Sequence, residues 1–587
     1  MYRKNSTALL FMLVSVALFA SFLFCLPRDF LIPSREIRRT SSAIFRNHQS
    51  AKNLNLHLQL AVATEDDINR ALHHHLSSSS FADPQTVSIL LPDWELLLIL
   101  SPDKSLPHDG TGDPYYCLFQ NNATSPAKPA GFLPSTNLTT FKCLLPQSLQ
   151  RIRPIFQPIL TKRREFWPVT ESPELLRWGF LTYESFSTEN DVILFAKGVN
   201  NRQGVNRSPS ELRCVFGDDD SNGVITDVTS SSQEVFRCRH PDETTLARLS
   251  LVGKEKKIKI SLQFQLEKEK KKVVPSVAYY TPPSKPAPEP ALVPREGKSL
   301  LCACTMVYNV GRFLKEWVLY HSKLGVEKFF LYDNGSDDGL EQVVSDLLRR
   351  ELYNNLTIET LLWPWPKTQE GGFSHCALQA RDSCSWMIYI DVDEFIFSPS
   401  WINSSNPSTN MLRSLLPISS SSSSQLGQIG IRCLDFGPSN QRSNPVGGVT
   451  QGYTCRRRFD ERHKSMVLLD AIDESLLNVI HHFRLKESYR GRWLSLREGV
   501  VNHYKYQAWP EFKTKFRRRV SAYVVDWREE TNPNSKDRTP GLGFLPVEPE
   551  GWANKFCEVN DTSLQEVTKR WFGSKTRTGF KMAWEDE

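Results

Sequence analysis

Trp386 to Phe397 reads WMIYIDVDEFIF. An apolar, strand-like run delivers Asp391 and Asp393 to its end, with Glu394 next. Two carboxylates at i and i+2 on a strand tip repel each other unless a divalent cation sits between them. Hard oxygen ligands suit Mg²⁺ or Mn²⁺. A cation held there can bridge a diphosphate and neutralise charge on a leaving group. A bare D-x-D is common; this one follows a buried-type strand. The alternative is a surface turn without metal.

The elements that must place these groups surround them. Ser299 to Asn309 (SLLCACTMVYN) is a buried-type strand with a polar tip. A helix follows, with Asn309 as its cap and Phe313, Leu314, Trp317, Val318, His321 and Leu324 at three-four spacing. Lys328 to Tyr332 (KFFLY) is a second strand, ending at the DNGSDDG run that Asp333 opens. Strand, helix and strand of this kind imply a right-handed crossover and a parallel sheet, whose ligands bind outside the carboxyl ends of its strands. Asp333 stands there. Its carboxylate can accept hydrogen bonds from a uracil or ribose, or it can close an Asp-Asn-Gly turn. Trp363 and Trp365 in LLWPWP can stack on a sugar ring or fill the core.

The segments CTMVYNVGRFLKEWVLYHSKLGVEKFFLYDNGSDDG, FSHCALQARDSCSWMIYIDVDEF, FGPS, HKS, NVIHHF and NHYKY occur in that order between residues 298 and 530. Together they resemble glycosyltransferase family 92, which includes plant β-1,4-galactan galactosyltransferases and animal enzymes that galactosylate fucose on N-glycans. The resemblance implies an α/β fold of the GT-A, Rossmann-like type, a UDP-sugar donor, Mn²⁺ (or Mg²⁺) and inversion at the anomeric carbon. Carried over, Asp391 and Asp393 hold the metal, with Asp393 the more direct ligand. A histidine completes the set, His503 ahead of His481 and His482, for which one buried and one exposed imidazole is the plainer reading. Tyr308, Asn309 and Asp333 contact the nucleotide. Arg381 fixes Asp391 or the donor sugar, or is a helix-surface charge. Lys464 pairs with the departing phosphate or with a neighbouring acid. Inversion also needs a general base beside the acceptor hydroxyl; Asp435, Asp460 and Glu461 are the candidates, and pattern does not choose among them. The chain departs from the family pattern at Met466 to Asp470 and at Asn440, both on the expected acceptor side. Acceptor identity is therefore less constrained than donor chemistry.

The rest of the chain sets the context. Over 587 residues, 72 Lys+Arg stand against 65 Asp+Glu, and 40% of residues are hydrophobic. That composition excludes a disordered chain, and the dispersed charge points to no nucleic-acid partner. After a tail at residues 1–7, the uncharged run Ala8 to Leu26 nearly spans a hydrocarbon core of about 30 Å at about 1.5 Å per residue. A retained signal anchor is expected, with a cleaved signal peptide the alternative. Sequons at Asn122, Asn137, Asn206, Asn334, Asn355, Asn403 and Asn560, and eleven cysteines beyond Cys25, suit a lumen. Disulfides are expected, and an odd count leaves at least one thiol over.

Residues 27–84, with His73 to His75 and Ser77 to Ser80, read as a solvated stem. Residues 85–272 carry short apolar runs between turn residues, a β-rich, sandwich-like accessory domain that Cys117, Cys143, Cys214 and Cys238 can staple. In the family's galactan synthases such a domain binds carbohydrate. Ile258, Ile260, Leu262, Phe264 and Leu266 alternate with polar residues, so a half-buried strand is expected there. The lysine-rich run Lys254 to Lys272 is then a solvated face, or a surface for an acidic polysaccharide. Residues 273–297 form a Pro-rich linker, 298–530 the catalytic domain and 531–587 a C-terminal extension. Ser419 to Ser424 is a flexible loop.

These readings combine into a single-pass type II Golgi membrane glycoprotein with a luminal catalytic domain. It moves a hexose, galactose by resemblance, from a UDP-sugar to a glycan or cell-wall polysaccharide acceptor, and a homodimer is compatible with it. The rivals are a membrane-tethered glycan-binding protein with an inactive transferase domain, and a metal-dependent phosphohydrolase or nucleotidyltransferase.

Overall fold

The computed structural model describes residues 86–585 apart from 103–113, 163–171, 201–204, 218–222, 243, 246–256, 266–270, 283–296, 350–355, 418–424, 480, 522–547 and 578. The apolar run at 8–26, the stem, the histidine triplet and the serine run lie outside the described residues. Among the described residues no helix is long and apolar enough to cross a membrane.

Among the described residues three large sheets, with three two-stranded ribbons beside them, make the mixed α/β architecture. Residues 86–177 supply a seven-stranded sheet and residues 181–280 an eight-stranded one. The third carries the candidate site. Its strands are β1 (Ser299–Val307), β2 (Lys328–Asp333), β3 (Thr357–Leu362), β4 (Cys384–Tyr389), β5 (Glu394–Phe397), β6 (Gln425–Asp435), β7 (Arg462–Leu468), β8 (Tyr489–Trp493) and β9 (Val500–His503). They lie in the order β3-β2-β1-β4-β7-β6-β9-β5, with β8 also against β6. Parallel pairing joins β3, β2, β1 and β4. Helices α1 (Gly311–Leu324), α2 (Leu340–Arg349) and α3 (Gln369–Ala380) make the crossovers between them in chain order. The carboxyl ends of these strands gather Tyr308, Asp333 and Asp391 at one edge.

Apolar runs rather than alternation mark the strands because both faces are covered. On β1, Leu301, Ala303 and Val307 join one core with α1, while Cys302 and Cys304 enter a second. On β4, Trp386 and Ile388 face the first core and Met387 and Tyr389 the second. That second core is shared with both N-terminal sheets. In Glu95–Leu100, Leu97 and Ile99 enter it, whereas Leu96 and Leu98 stay in the first sheet's own cluster. In Asp191–Lys197, Ile193 and Phe195 enter it, whereas Val192, Leu194 and Ala196 fill the second sheet's cluster. So the accessory sheets roof one face of the catalytic sheet. Trp178 stacks on Trp365 at 5.6 Å and donates to Pro366 O at 3.1 Å.

Two local expectations change. Ile258–Gln265 is buried on both faces: Ser261 and Gln263 are covered as well as Ile260 and Leu262, because neighbouring strands pair on either side and other elements pack above and below. The paired structure also continues through Lys271–Val273 and Tyr279–Tyr280, beyond residue 272, because Val274, Val277, Ala278 and Tyr280 bury apolar surface there.

Disulfides Cys117–Cys143 and Cys214–Cys238 each close one N-terminal sheet, Cys302–Cys384 and Cys304–Cys376 tie β1 to β4 and α3, and Cys455–Cys557 joins the C-terminal part to the catalytic domain. Cys433 is the free thiol among the described residues, and it is buried.

Helix α1 does more than fill the core. Trp317 donates its indole N–H to Glu394 O at 3.0 Å, and Tyr320 donates to Ile396 O at 2.7 Å. β5 is an edge strand, so side chains from α1 satisfy backbone groups that no strand pairs. This fixes the segment that follows Asp393. Asn309 does not cap α1, contrary to expectation. It exchanges two hydrogen bonds with Asp337, and the Gly311 N–H is taken by Asp338 Oδ2 at 2.8 Å. At the other end Gly325 closes the helix with φ +118°, and a Cβ there would lie 2.2 Å from Thr409 O.

Candidate active site

Glu394 opens β5 and is fully buried. Its Oε2 accepts the Asp391 N–H at 2.9 Å and the Lys464 ammonium at 3.0 Å. Its Oε1 has no hydrogen-bond donor among the described residues. That oxygen lies 3.7 Å from His503 Nε2, and Asp393 Oδ2 lies 3.7 Å from the same nitrogen. His503 Nδ1 faces Asp435 Oδ1 at 2.9 Å. An ionised carboxylate only accepts, so Nδ1 carries a proton, and in the neutral ring Nε2 presents its lone pair. One ligand atom from each of Asp393, Glu394 and His503 falls within 4.8 Å of the others. Two carboxylate oxygens against a lone pair, one of them buried without a donor, repel unless a cation or a proton joins them. Hard oxygens and an imidazole steadied by a carboxylate suit Mn²⁺ or Mg²⁺.

Asp391 stands apart from this triad. Lys464 Nζ, buried on β7, lies 2.7 Å from Asp391 Oδ2 and 2.7 Å from His481 Nε2. Burial works to raise Asp391, but Lys464 holds it below the usual carboxylate range. Burial also pushes the Glu394 carboxyl up to about 7 against the pull of Lys464. The two carboxylates of the D-x-D therefore serve different cations, since Asp393 Oδ2 meets Lys515 Nζ at 2.6 Å. The neighbouring-acid reading describes Lys464.

Asp435 is fully buried behind His503 and also accepts from Lys505 at 2.6 Å. It cannot touch an acceptor hydroxyl from there; it orients His503. Burial works to raise its pKa, but His503 and Lys505 hold it well below the usual range. Asp460 points to Arg432 at 3.3 Å. Glu461 is solvent-exposed, pairs with Arg457 and lies 3.8 Å from Lys505, so it borders the site.

Among the expected nucleotide contacts, Tyr308 is half-buried at the tip of β1 and Asn309 is bound to Asp337. Asp333 closes its own turn, accepting the Ser336 N–H at 2.9 Å and the Ser336 hydroxyl at 2.6 Å. Arg381 is not brought to the site. It caps the end of α3 and pairs with Asp470, which also meets Lys298 just before β1. This is the amino end of the parallel strands, opposite Asp391. Trp363 and Trp365 are fully buried in the shared core, so they pack rather than meet sugar. His481 is buried against Lys464, while half-buried His482 meets His463 at 2.6 Å and packs on Trp493.

Residues 298–539 match the family model described as Glycosyltransferase family 92. A glycosyltransferase family 92 protein of Oryza sativa subsp. japonica is 41% identical over 417 residues, which span 68% of this chain and 67% of the relative. Another, from Arabidopsis thaliana, is 40% identical over 414 residues, spanning 70% of this chain and 69% of the relative. The chain belongs to glycosyltransferase family 92. It is therefore a glycosyltransferase. Among solved structures, a mannosyltransferase from Pyrobaculum calidifontis in complex with GDP-Man and Mn²⁺ aligns over 41% of this chain and 67% of its own, at 10% identity and a TM-score of 0.24.

In this family 92 glycosyltransferase the residues that pattern reading left without a role are Glu394, Lys505 and Lys515. Glu394 is adjacent to the D-x-D, and Lys505 follows His503 at i+2 and shares its partner, so both carried a local signal. Lys515 sits on α4 (Trp509–Ser521), 122 residues from Asp393 in sequence, and carried none.

Proposed function

We propose that this enzyme transfers a hexose, galactose, from a UDP-sugar to a glycan acceptor with inversion, in a GT-A arrangement. The observation that carries the metal-dependent reading is the orphaned Glu394 Oε1 facing His503 Nε2 beside Asp393. Mn²⁺ or Mg²⁺ held by Asp393, Glu394 and His503 would neutralise the donor diphosphate as it departs. Asp435 orients His503, and Lys464 keeps Asp391 ionised and anchored. Glu461, exposed at the border, takes the proton of the acceptor hydroxyl as its oxygen attacks the anomeric carbon and the bond to the diphosphate breaks. Galactose follows from the resemblance to the plant galactan galactosyltransferases. The disulfides support an oxidising, luminal compartment, and the apolar run at residues 8–26 is the proposed Golgi membrane anchor.

The test is UDP release by the full-length chain across a panel of UDP-sugars with Mn²⁺ and mixed galactan, arabinogalactan and N-glycan acceptors. Turnover with one donor, dependent on acceptor and abolished in Asp393→Ala and His503→Ala, is the expected result. Turnover that needs no acceptor would favour a phosphohydrolase. Retained activity in Glu461→Gln would remove that residue as the base.

A further inference from the structure

Asp393 Oδ2 is claimed twice. It lies 2.6 Å from Lys515 Nζ and 3.7 Å from His503 Nε2. A divalent cation shared by His503 and this carboxylate would sit within a few ångströms of the lysine ammonium, and two positive charges on one oxygen repel. Lys464 faces no such conflict, because it binds Glu394 through Oε2 and leaves Oε1 free. The two lysines also differ in freedom. The Lys464 side chain is 5% exposed and that of Lys515 is 30% exposed. The start of α4 is held in place, with Trp509 and Phe512 packed against Tyr506 and Trp552 and Glu511 paired with Arg312. The base of Lys515 is therefore anchored while its flexible stem can swing.

We propose that Lys515 is a resident counter-cation. It neutralises Asp393 while no metal is bound, releases it when a divalent cation binds, and then carries its charge to the donor diphosphate beside that cation. The inference rests on the metal-site reading above and adds an exchange with a sign of its own. Removing Lys515 should help the metal and harm the nucleotide.

Mn²⁺ binding to the nucleotide-free, full-length chain would be followed by electron paramagnetic resonance, and UDP binding at saturating Mn²⁺ by calorimetry. Lys515→Met should bind Mn²⁺ about tenfold more tightly and UDP about tenfold more weakly than the unsubstituted chain. Each change has the size expected when a single charge-assisted interaction is removed. Lys515→Arg, which keeps the charge, should restore UDP affinity. Unchanged or weaker Mn²⁺ binding in Lys515→Met overturns the exchange. Tighter Mn²⁺ with unchanged UDP overturns the transfer to the diphosphate. If the unsubstituted chain binds neither Mn²⁺ nor UDP, the metal-site reading falls and this inference with it. If it binds both and Lys515→Met behaves identically, only this inference falls.

Discussion

Asp435 accepts the Nδ1 proton of His503 at 2.9 Å from a fully buried position on β6, and so turns the Nε2 lone pair toward Asp393 and Glu394. The pair is positioned by parallel register between β6 and β9, where Asp435 stands opposite His503. Because His503 and Lys505 both bond Asp435, the carboxylate stays ionised and the imidazole keeps one tautomer.

Asp435→Asn should therefore weaken Mn²⁺ binding by about tenfold to hundredfold without touching a ligand atom. Titration of Mn²⁺ into the folded variant checks this. Affinity equal to that of the unsubstituted chain would show that His503 needs no orienting partner.

Lys464→Met should destabilise the fold by about 3 kcal/mol, because fully buried Glu394 is left facing half-buried Asp391 without a cation. Denaturant unfolding reads this. A loss below about 1 kcal/mol would mean that the two carboxylates relax to water when the lysine goes.

Trp365→Ala should cost about 3–5 kcal/mol, since it empties the core between the accessory roof and the catalytic sheet. Trp178→Ala removes the ring stacked on it at 5.6 Å. The double variant should lose less than the sum of the two, by about 0.5 kcal/mol or more. Strict additivity would show that the two parts are coupled elsewhere.

Acid should unfold this protein through its buried imidazoles. Burial lowers His321 and His375 to about 3, whereas an unfolded histidine titrates near 6.5. The unfolded chain thus binds more protons below pH 6.5. Their contribution is complete above that pH and is lost as pH falls toward 3, at about 1.4 kcal/mol per unit for each ring. Burial raises Glu184 and Glu316 to about 7, which works in the opposite sense. Their contribution is present below about 4.5 and is lost as pH rises through 7. Comparison with His375→Phe isolates one ring. The variant should lose stability at pH 7, where Tyr332 loses its 2.8 Å partner, but its slope between pH 6 and 5 should shift by about 1.4 kcal/mol per unit. An unchanged slope would mean that His375 is protonated in the folded state.

The family resemblance singled out His503; local pattern in the chain was enough to place the D-x-D at a strand end and to find the strand, helix and strand around α1. These depend on apolar runs and on neighbours within a few residues, and burial drives such segments into strands whatever surrounds them. Pattern failed where the partner comes from far away. Asp391 and Asp393 are two residues apart, yet one meets Lys464, 73 residues on, and the other Lys515, 122 residues on. Arg381 carried the right charge on the right helix, but α3 ends at the amino edge of the sheet and leaves it with Asp470. Pattern left Trp363 and Trp365 open between a sugar platform and the core; they are core, because the N-terminal sheets cover that face of the catalytic sheet. Sequence spacing sets which residues share a strand tip or a helix face. Which lysine each carboxylate keeps, and that Glu394 Oε1 stays open beside His503, is decided by how distant elements pack against each other, since only that packing determines whether a buried charge finds its counter-charge.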